Sequence, residues 1–281
     1  MVPTKRFYDG LYLKTKRKTK GSKTMILTLD IGNTNIKIGA FDGDKMVASW
    51  RVSTAASKTA DEYGMVIYDL LLQKGISFED VEACVMSSVA PALNYTIEHM
   101  CRFYTGKNPL SVNHETDLGI TLKYDNPAEL GSDRMVGAAA AYHLYGGPVI
   151  VVDFGSATTF NLVTKDGEYI GGAIAPGIKT ATESLVTTAA KLPRVELTPP
   201  ASIVGTSTKT CMQSGIIFGY TGLVKYMLEK YKALPEMKGA KVVATGGLSE
   251  LVENTEPDII DVVDRALALK GLKLIYDRTK K

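Results

Sequence analysis

The sequence predicts an α/β protein built from two related lobes, and three observations carry that prediction. Residues 25–47 run as an apolar strand, the acidic Asp30, a polar corner containing Gly32 and Thr34, a second apolar strand and an Asp42-Gly43 turn. Residues 148–168 repeat the plan with Asp153, Gly155, the hydroxyl residues Ser156, Thr158 and Thr159, and an Asp166-Gly167 turn. Between and beyond these copies, strand-like and helix-like stretches alternate, the signature of layered α/β structure. Asp153 lies 123 positions after Asp30, too long a period for a solenoid, so the repeat reads as two lobes.

In the first copy, Ile26, Leu27 and Leu29 suit a buried strand, and Ile36, Ile38 and Ala40 alternate as a second. Asp and Gly both tolerate positive φ, so Asp42-Gly43 marks a hairpin turn. Gly32, Asn33 and Thr34 cannot fill a core. They let an anion approach backbone N–H groups, Thr34 and Asn35 add side-chain donors, and Asp30 suits a metal or its waters. An ordinary hairpin with a polar corner would carry the same residues; the second copy favours two hairpins gripping a polyphosphate from opposite sides.

Further along, Tyr63, Val66, Ile67, Leu70 and Leu71 recur at helical spacing within residues 58–73, closed by Gly75. Residues 51–57 read as strand then loop, 83–87 as a short buried strand, and Ser87-Ser88 as a turn into a helix over 92–103, its serines either capping or facing a ligand. Residues 110–124 look extended. Pro127 suits a first helical turn and the Ala-rich run 136–142 a helix. Gly131-Ser132-Asp133-Arg134 opens that run, where a helix N-terminus favours anions. There Asp133 could act as a base and Arg134 pair with an anionic substrate, or the two could be an N-cap and a surface ion pair.

The second half continues with a Gly-rich strand over 171–177, a Thr- and Ala-rich helix to about 190 and an irregular 192–200. Thr208 is placed to cap a helix running to 232. Residues 242–249 read as strand, Gly246-Gly247 turn and helix start, a turn over which a flat base could slide, and 266–278 as an amphipathic helix.

Hydrophobic content of 45% and charged content of 22% are ordinary for a globular protein. The net charge of +3 conceals a leader, residues 1–24, that carries eight Lys or Arg against Asp9, so the remainder is mildly acidic and gives no indication of nucleic acid binding. This leader is expected to be a disordered tail or to reflect a start upstream of the true one at Met25. No stretch approaches the ~20 apolar residues of a spanning helix, so no membrane partner is expected. Three scattered cysteines, Cys84, Cys101 and Cys211, argue against a zinc site or disulfide framework and suit the cytoplasm. There is neither a P-loop nor a Rossmann phosphate motif, and His99, His114 and His143 lack metal-ligand spacing.

Taken together, Asp30-Ile-Gly-Asn-Thr-Asn-Ile-Lys37, Tyr124-Asp-Asn-Pro127, Gly131-Ser-Asp-Arg134, Asp153-Phe-Gly-Ser-Ala-Thr-Thr159, the Gly171–Gly177 segment, Thr208 with Met212-Gln-Ser-Gly215, and Ala244-Thr-Gly-Gly247 resemble the type III pantothenate kinases. These belong to the acetate and sugar kinase/Hsp70/actin superfamily. The resemblance runs from about residue 25 to 278. It implies duplicated ribonuclease H-like lobes, the actin-like ATPase fold, over 25–145 and 146–281 with a cleft between them. It also implies ATP-dependent phosphorylation of pantothenate to 4'-phosphopantothenate, the entry to coenzyme A biosynthesis. On this basis Asp30, Ile31, Gly32, Asn33, Thr34, Asn35, Ile36 and Lys37 would lie along the ATP phosphates, with Asp30 near Mg²⁺ and Ser156 reaching the nucleotide from the second hairpin. Asp133 would accept the proton of the substrate hydroxyl. Tyr124, Gly131, Ser132, Arg134 and Thr208 would shape the pantothenate pocket together with Asp133, and Asp153 would hold a monovalent cation, K⁺ or NH₄⁺. A homodimer with substrate sites at its interface is implied as well.

Two departures stand out: Ser156 where the family commonly has Thr, and Asn161 where many members carry Asp, a change that could bear on cation or phosphate geometry. The competing readings are a non-catalytic nucleotide-binding regulator on the same fold and a kinase for another small hydroxylated acid.

Overall fold

The structure is a computed structural model that describes residues 24–280; the basic leader falls, but for Thr24, outside the described residues. The first sheet comprises β1 (Met25–Ile31), β2 (Asn35–Asp42), β3 (Lys45–Ser53), β4 (Val81–Ser88) and β5 (Leu110–Ser111), in the order β3-β2-β1-β4-β5. β1, β2 and β3 form an antiparallel meander, while β4 and β5 add in parallel. β3 is longer than the sequence suggests, beginning directly after the Gly43-Asp44 turn rather than near Arg51. Its flanking helices are α1 (Ala60–Leu72) and α2 (Pro91–Thr105). Thr59 and Glu62 close a capping box at the start of α1, which satisfies two otherwise orphaned N–H groups. Pro91 opens α2 and Gly106, at φ +72°, ends it in the left-handed region.

A short β6 (Thr121–Leu122) and α3 (Ser132–Tyr145) lead to β7 (Val149–Phe154), β8 (Ala157–Val163) and β9 (Glu168–Pro176). Then follow α4 (Ile178–Thr188), α5 (Thr208–Lys232), β10 (Lys241–Gly246), α6 (Ser249–Thr255), β11 (Val262–Val263) and α7 (Leu267–Thr279). The second sheet has the order β11-β10-β7-β8-β9-β6. Without its edge strand β6 it reads β9-β8-β7-β10-β11, with the same antiparallel and parallel pairings as the first. The duplication seen in the hairpins therefore extends to whole sheets.

Strand alternation distributes side chains over three cores. Leu27, Leu29, Ile31, Ile36 and Ile38 face α1 and α2 on the outer side of the first sheet, while Ile150, Val152, Phe160 and Val242 face α5 on the outer side of the second. The inner faces, through Ile26, Val85, Val151, Val163 and Val243, close on α3 and α7 in a shared central core. The Ala-rich run of α3 is what permits this layer. Ala138, Ala139, Ala140 and Ala141 are fully buried, and a Cβ on Gly271 of α7 would meet Val136 O at 2.7 Å and the Ala140 Cβ at 2.9 Å, so the helices pack backbone to backbone. Two elements lie with the half of the molecule opposite to their place in the chain: β6 joins the second sheet, and α7 packs on β1, β2 and β4 of the first.

Candidate active site

The inner faces of both sheets turn from apolar to polar at one end, where β1 and β7 run out. On β1 the alternation that buries Leu29 and Ile31 outward turns Asp30 inward. In register beside it stand Lys37 of β2 and Ser87 of β4. The Asp30 carboxylate is paired with Lys37 Nζ at 3.3 Å and accepts a hydrogen bond from Ser87 Oγ at 3.0 Å. Burial opposes the charge on Lys37, but the carboxylates of Asp30 and, from the other lobe, Asp153 outweigh it and raise the Lys37 pKa. One ammonium group thus senses an acid from each wall.

Asp153 occupies the equivalent place on β7, level with Thr159 of β8 and Thr245 of β10. Burial pushes its pKa up, Lys37 pulls it down and Asp30 adds to the rise. Gly246 has φ +94°, and a Cβ there would sit 2.7 Å from an Asp153 carboxylate oxygen and 2.5 Å from Phe154 O. Glycine is required at that point. The Thr245 hydroxyl, buried beside Asp153, has no hydrogen-bond partner among the described residues.

The two polar corners meet. Thr34 Oγ1 of the β1–β2 corner lies 2.8 Å from Ser156 Oγ of the β7–β8 corner. Each corner is braced from behind: Thr54 donates through its hydroxyl to Gly32 O and through its N–H to Thr34 O, and Gly177 N–H and Thr180 Oγ1 donate to Ser156 O. Asn33 and Thr34 are exposed at the tip, whereas the side chains of Ile31 and Ile36 belong to the outer core. Those two isoleucines, read from the sequence as phosphate neighbours, could offer only main-chain groups.

α3 brings the third acid. Ser132 Oγ accepts from Ser88 N–H at 2.9 Å and donates to Ser88 O at 3.0 Å, tying the helix start to the end of β4. The Ser132 hydroxyl is thereby engaged. Asp133 Oδ1 accepts the Arg134 N–H at 2.7 Å, and a Cβ on Gly131 would lie 2.6 Å from that oxygen. Burial, then the Asp30 charge and, more weakly, Asp153 push Asp133 up to about 6, against the pull of the Arg134 N–H and guanidinium. The three acids therefore share one electrostatic environment. Arg134, also buried, donates through Nε to Asn161 Oδ1 at 2.7 Å with its guanidinium over the Tyr169 ring. Tyr124 packs against the same ring at 6.0 Å between centroids. A cavity of about 400 Å³ lies between the end of β4, α2, the segment after β5 and the start of α3, bordered by Ser88, Asn94, Glu98, His114, Leu130 and Ser132; Tyr124, Asp133 and Arg134 do not line it.

Thr208 stands apart. It is the first residue of α5 and exposed; Ser207, whose hydroxyl accepts the Thr210 N–H, is the cap that the sequence assigned to Thr208. Among the described residues no hydrogen bond joins Thr208 to the cleft. Sequence reasoning passed over Thr245 and Arg51; a Cβ on Gly247 would be 3.9 Å from Arg51 Nη1, so this arginine reaches from β3 to the β10 turn. Thr245 enters the sequence reading only as part of the Ala244–Gly247 marker, with no role of its own, and the further signal for both is the period-2 alternation that puts them on the inner faces. Asn161 holds Arg134, and no hydrogen bond joins it to Asp153 among the described residues.

Two braced corners meet between like sheets, with an acid on each wall and a third at a helix N-terminus, in a duplicated actin-like architecture. A family model for the type III pantothenate kinases matches residues 26–230, and the chain belongs to that family. It is 48% identical over 254 residues to the type III pantothenate kinase of Geobacillus kaustophilus strain HTA426, covering 90% of this chain and 98% of the relative. It is 49% identical over 260 residues to that of Brevibacillus brevis, covering 91% and 100%. Among solved structures it is similar to a Campylobacter jejuni protein described as a Baf family transcriptional activator, with a TM-score of 0.57, 20% identity and coverage of 90% and 98%. It is also similar to the ethanolamine utilization protein EutJ of Carboxydothermus hydrogenoformans, with a TM-score of 0.50, 14% identity and coverage of 89% of each chain. At those identities the structures bear on fold alone, the duplicated ribonuclease H-like lobes of actin-like ATPases.

Proposed function

We propose that the cleft transfers the γ-phosphoryl group of ATP to the primary hydroxyl of pantothenate, giving ADP and 4'-phosphopantothenate, the first step of coenzyme A biosynthesis. Family membership supplies the reaction; the observation that carries the residue roles is the clustering of Asp30, Asp133 and Asp153, close enough to perturb one another and set between two corners in contact. Asp133 takes the hydroxyl proton as the oxygen bonds to the γ-phosphorus and the bond to the ADP oxygen breaks. Asn33, Thr34, Asn35 and Lys37, with main-chain groups of residues 31–36, hold the phosphates from one side and Ser156 from the other. Phosphoryl transfer depends chiefly on such alignment and charge compensation. Tyr124, Gly131, Ser132 and Arg134 form the acid-binding side of the acceptor pocket, Ser132 by holding the helix start in place.

No group of three or more His, Cys, Asp or Glu side chains able to hold a metal occurs among the described residues. That suits Mg²⁺ arriving with ATP, since Mg²⁺ bound through substrate phosphates needs only one or two carboxylates, and Asp30 is the one at hand. Asp153 and the unpartnered Thr245 hydroxyl are hard oxygen donors suited to K⁺ or NH₄⁺. Bound there, the cations supply neutralisation of phosphate charge.

We assign lobes 25–145 and 146–281, a homodimer and the cytoplasm. The dimer is supported by exposed Ile174, Ile203, Val204, Leu223 and Tyr226 on β9, the 199–207 loop and α5, the region that also carries Thr208. In it Thr208 completes the neighbouring copy's acceptor pocket. Three free thiols suit a reducing compartment. A coupled assay for ADP release tests the reaction: ADP should appear only with pantothenate and Mg²⁺, and faster with K⁺ than with Na⁺. Release indifferent to pantothenate would end the proposal.

A further inference from the structure

Arg134 is an unusual arginine: buried, and with no carboxylate within ion-pair distance among the described residues. Its Nε–H is taken by Asn161 Oδ1 at 2.7 Å, and its guanidinium is backed by the Tyr169 ring 6.0 Å away. Asn161 is itself fixed. Its Oδ1 also accepts the Tyr169 hydroxyl at 3.0 Å, its Nδ2 donates to Thr159 Oγ1 at 3.2 Å, and it is 2% exposed. Burial pushes the Tyr169 pKa up to about 12, so that hydroxyl stays a donor.

An arginine can engage a carboxylate with two parallel hydrogen bonds either side-on, through Nε and one Nη, or end-on, through both Nη groups. With Nε spent on Asn161, only the end-on face is left, and among the described residues no hydrogen bond occupies either Nη. The Asn161 carboxamide oxygen is the acceptor that orients the guanidinium. We infer that Asn161 is the positioning residue that presents Arg134 end-on to the carboxylate of the acceptor substrate. This rests on the pantothenate kinase reading and deepens it: Asn161 touches no substrate and governs the preference for an acid over its neutral analogue.

The test compares Asn161→Ala and Asn161→Asp with the unsubstituted protein, using pantothenate and the analogue in which hydroxymethyl replaces the carboxylate. Asn161→Ala should raise KM for pantothenate by at least about 10-fold with little change in kcat, the pattern of lost uniform binding, while KM for the neutral analogue stays as it was. Asn161→Asp keeps the acceptor oxygens, so its KM for pantothenate should rise less than that of Asn161→Ala. Equal KM changes for both substrates, or none for either, would overturn the inference. The Nε–H resonance of Arg134, assigned by its loss in Arg134→Lys, separates this from the reaction itself. It should be protected from exchange in the unsubstituted protein and in Asn161→Asp, and exchange faster in Asn161→Ala. An unprotected resonance in the unsubstituted protein overturns the positioning role, whereas absence of any pantothenate turnover overturns the underlying reading. Should Asn161→Ala fail to fold, Asn161→Asp and Asn161→Ser carry the same comparison.

Discussion

A carboxyl group that keeps its proton up to about pH 6 costs the folded protein stability at neutral pH, and Asp133 is such a group. Unfolded, it would ionise near 3.8. The folded state therefore binds more protons between these values, and stability from this residue falls as pH rises from 4 to 6. Asp133→Asn removes the penalty: the variant should melt above the unsubstituted protein at pH 8, with the gap closing below pH 4, as differential scanning calorimetry would show. The same substitution should lower turnover at least about 100-fold while ATP still stabilises the protein, because on the proposed mechanism only the base is lost. For the unsubstituted protein, kcat/KM for pantothenate should drop on the acid side near pH 6, where free Asp133 takes up its proton. A flat profile from pH 5 to 8 would place the base elsewhere. Asp30 and Asp153 are legible in the sequence because each sits where an apolar run stops, and Asp133 because it opens one. The side chains that surround them are less legible. Ser87 donates to Asp30 and Asn161 holds Arg134 from other strands, and only register reveals those partners.

Elements place these acids through backbone contacts too close for side chains. The turn after β10 passes under Asp153, so Gly246→Ala meets Phe154 O at 2.5 Å in a left-handed conformation. It should destabilise the protein by about 1–3 kcal/mol or more, and weaken the proposed activation by K⁺ beyond what the loss of stability explains. Thermal melts and a potassium titration on the soluble fraction would show both. Ser132→Ala breaks the reciprocal bond with Ser88 and should cost about 1 kcal/mol. Its kcat should fall as well, because the same turn aims Asp133. Most of this layer is readable in advance. Repeated strand, acid and glycine corners foretell both hairpins, and the helical spacing of Tyr63, Ile67 and Leu71 announces α1. What misleads is local ambiguity. Ser207 and Thr208 are equally good caps on paper, and the first hairpin turns through Gly43-Asp44, so β3 starts well before Arg51.

At the scale of the molecule, the lobes share a core. α7 comes last in the chain, yet Leu267, Leu269, Leu272 and Ile275 are buried against α3 and the first sheet, in the same cluster as Val151 and Val243 of the second. Amphipathicity reveals that 266–278 is a helix but not which sheet it covers, since either lobe could bury its apolar face. Because α3 and α7 are filler for both sheets, neither lobe has a complete core alone, and the two should unfold together. Trp50, the only tryptophan, lies on the outer side of the first sheet and reports that lobe. Leu272→Ala removes a fully buried side chain from the shared layer and should cost about 2–5 kcal/mol. The decisive feature is coincidence: the Trp50 fluorescence midpoint should fall by the same amount as the far-ultraviolet circular dichroism midpoint, which samples both lobes. Separate transitions in that variant would mean that the lobes are independent and that the cleft is held by its corners rather than by the helices behind it. A shared core instead hinges the cleft at its back, so that ATP bound as proposed should raise both midpoints together.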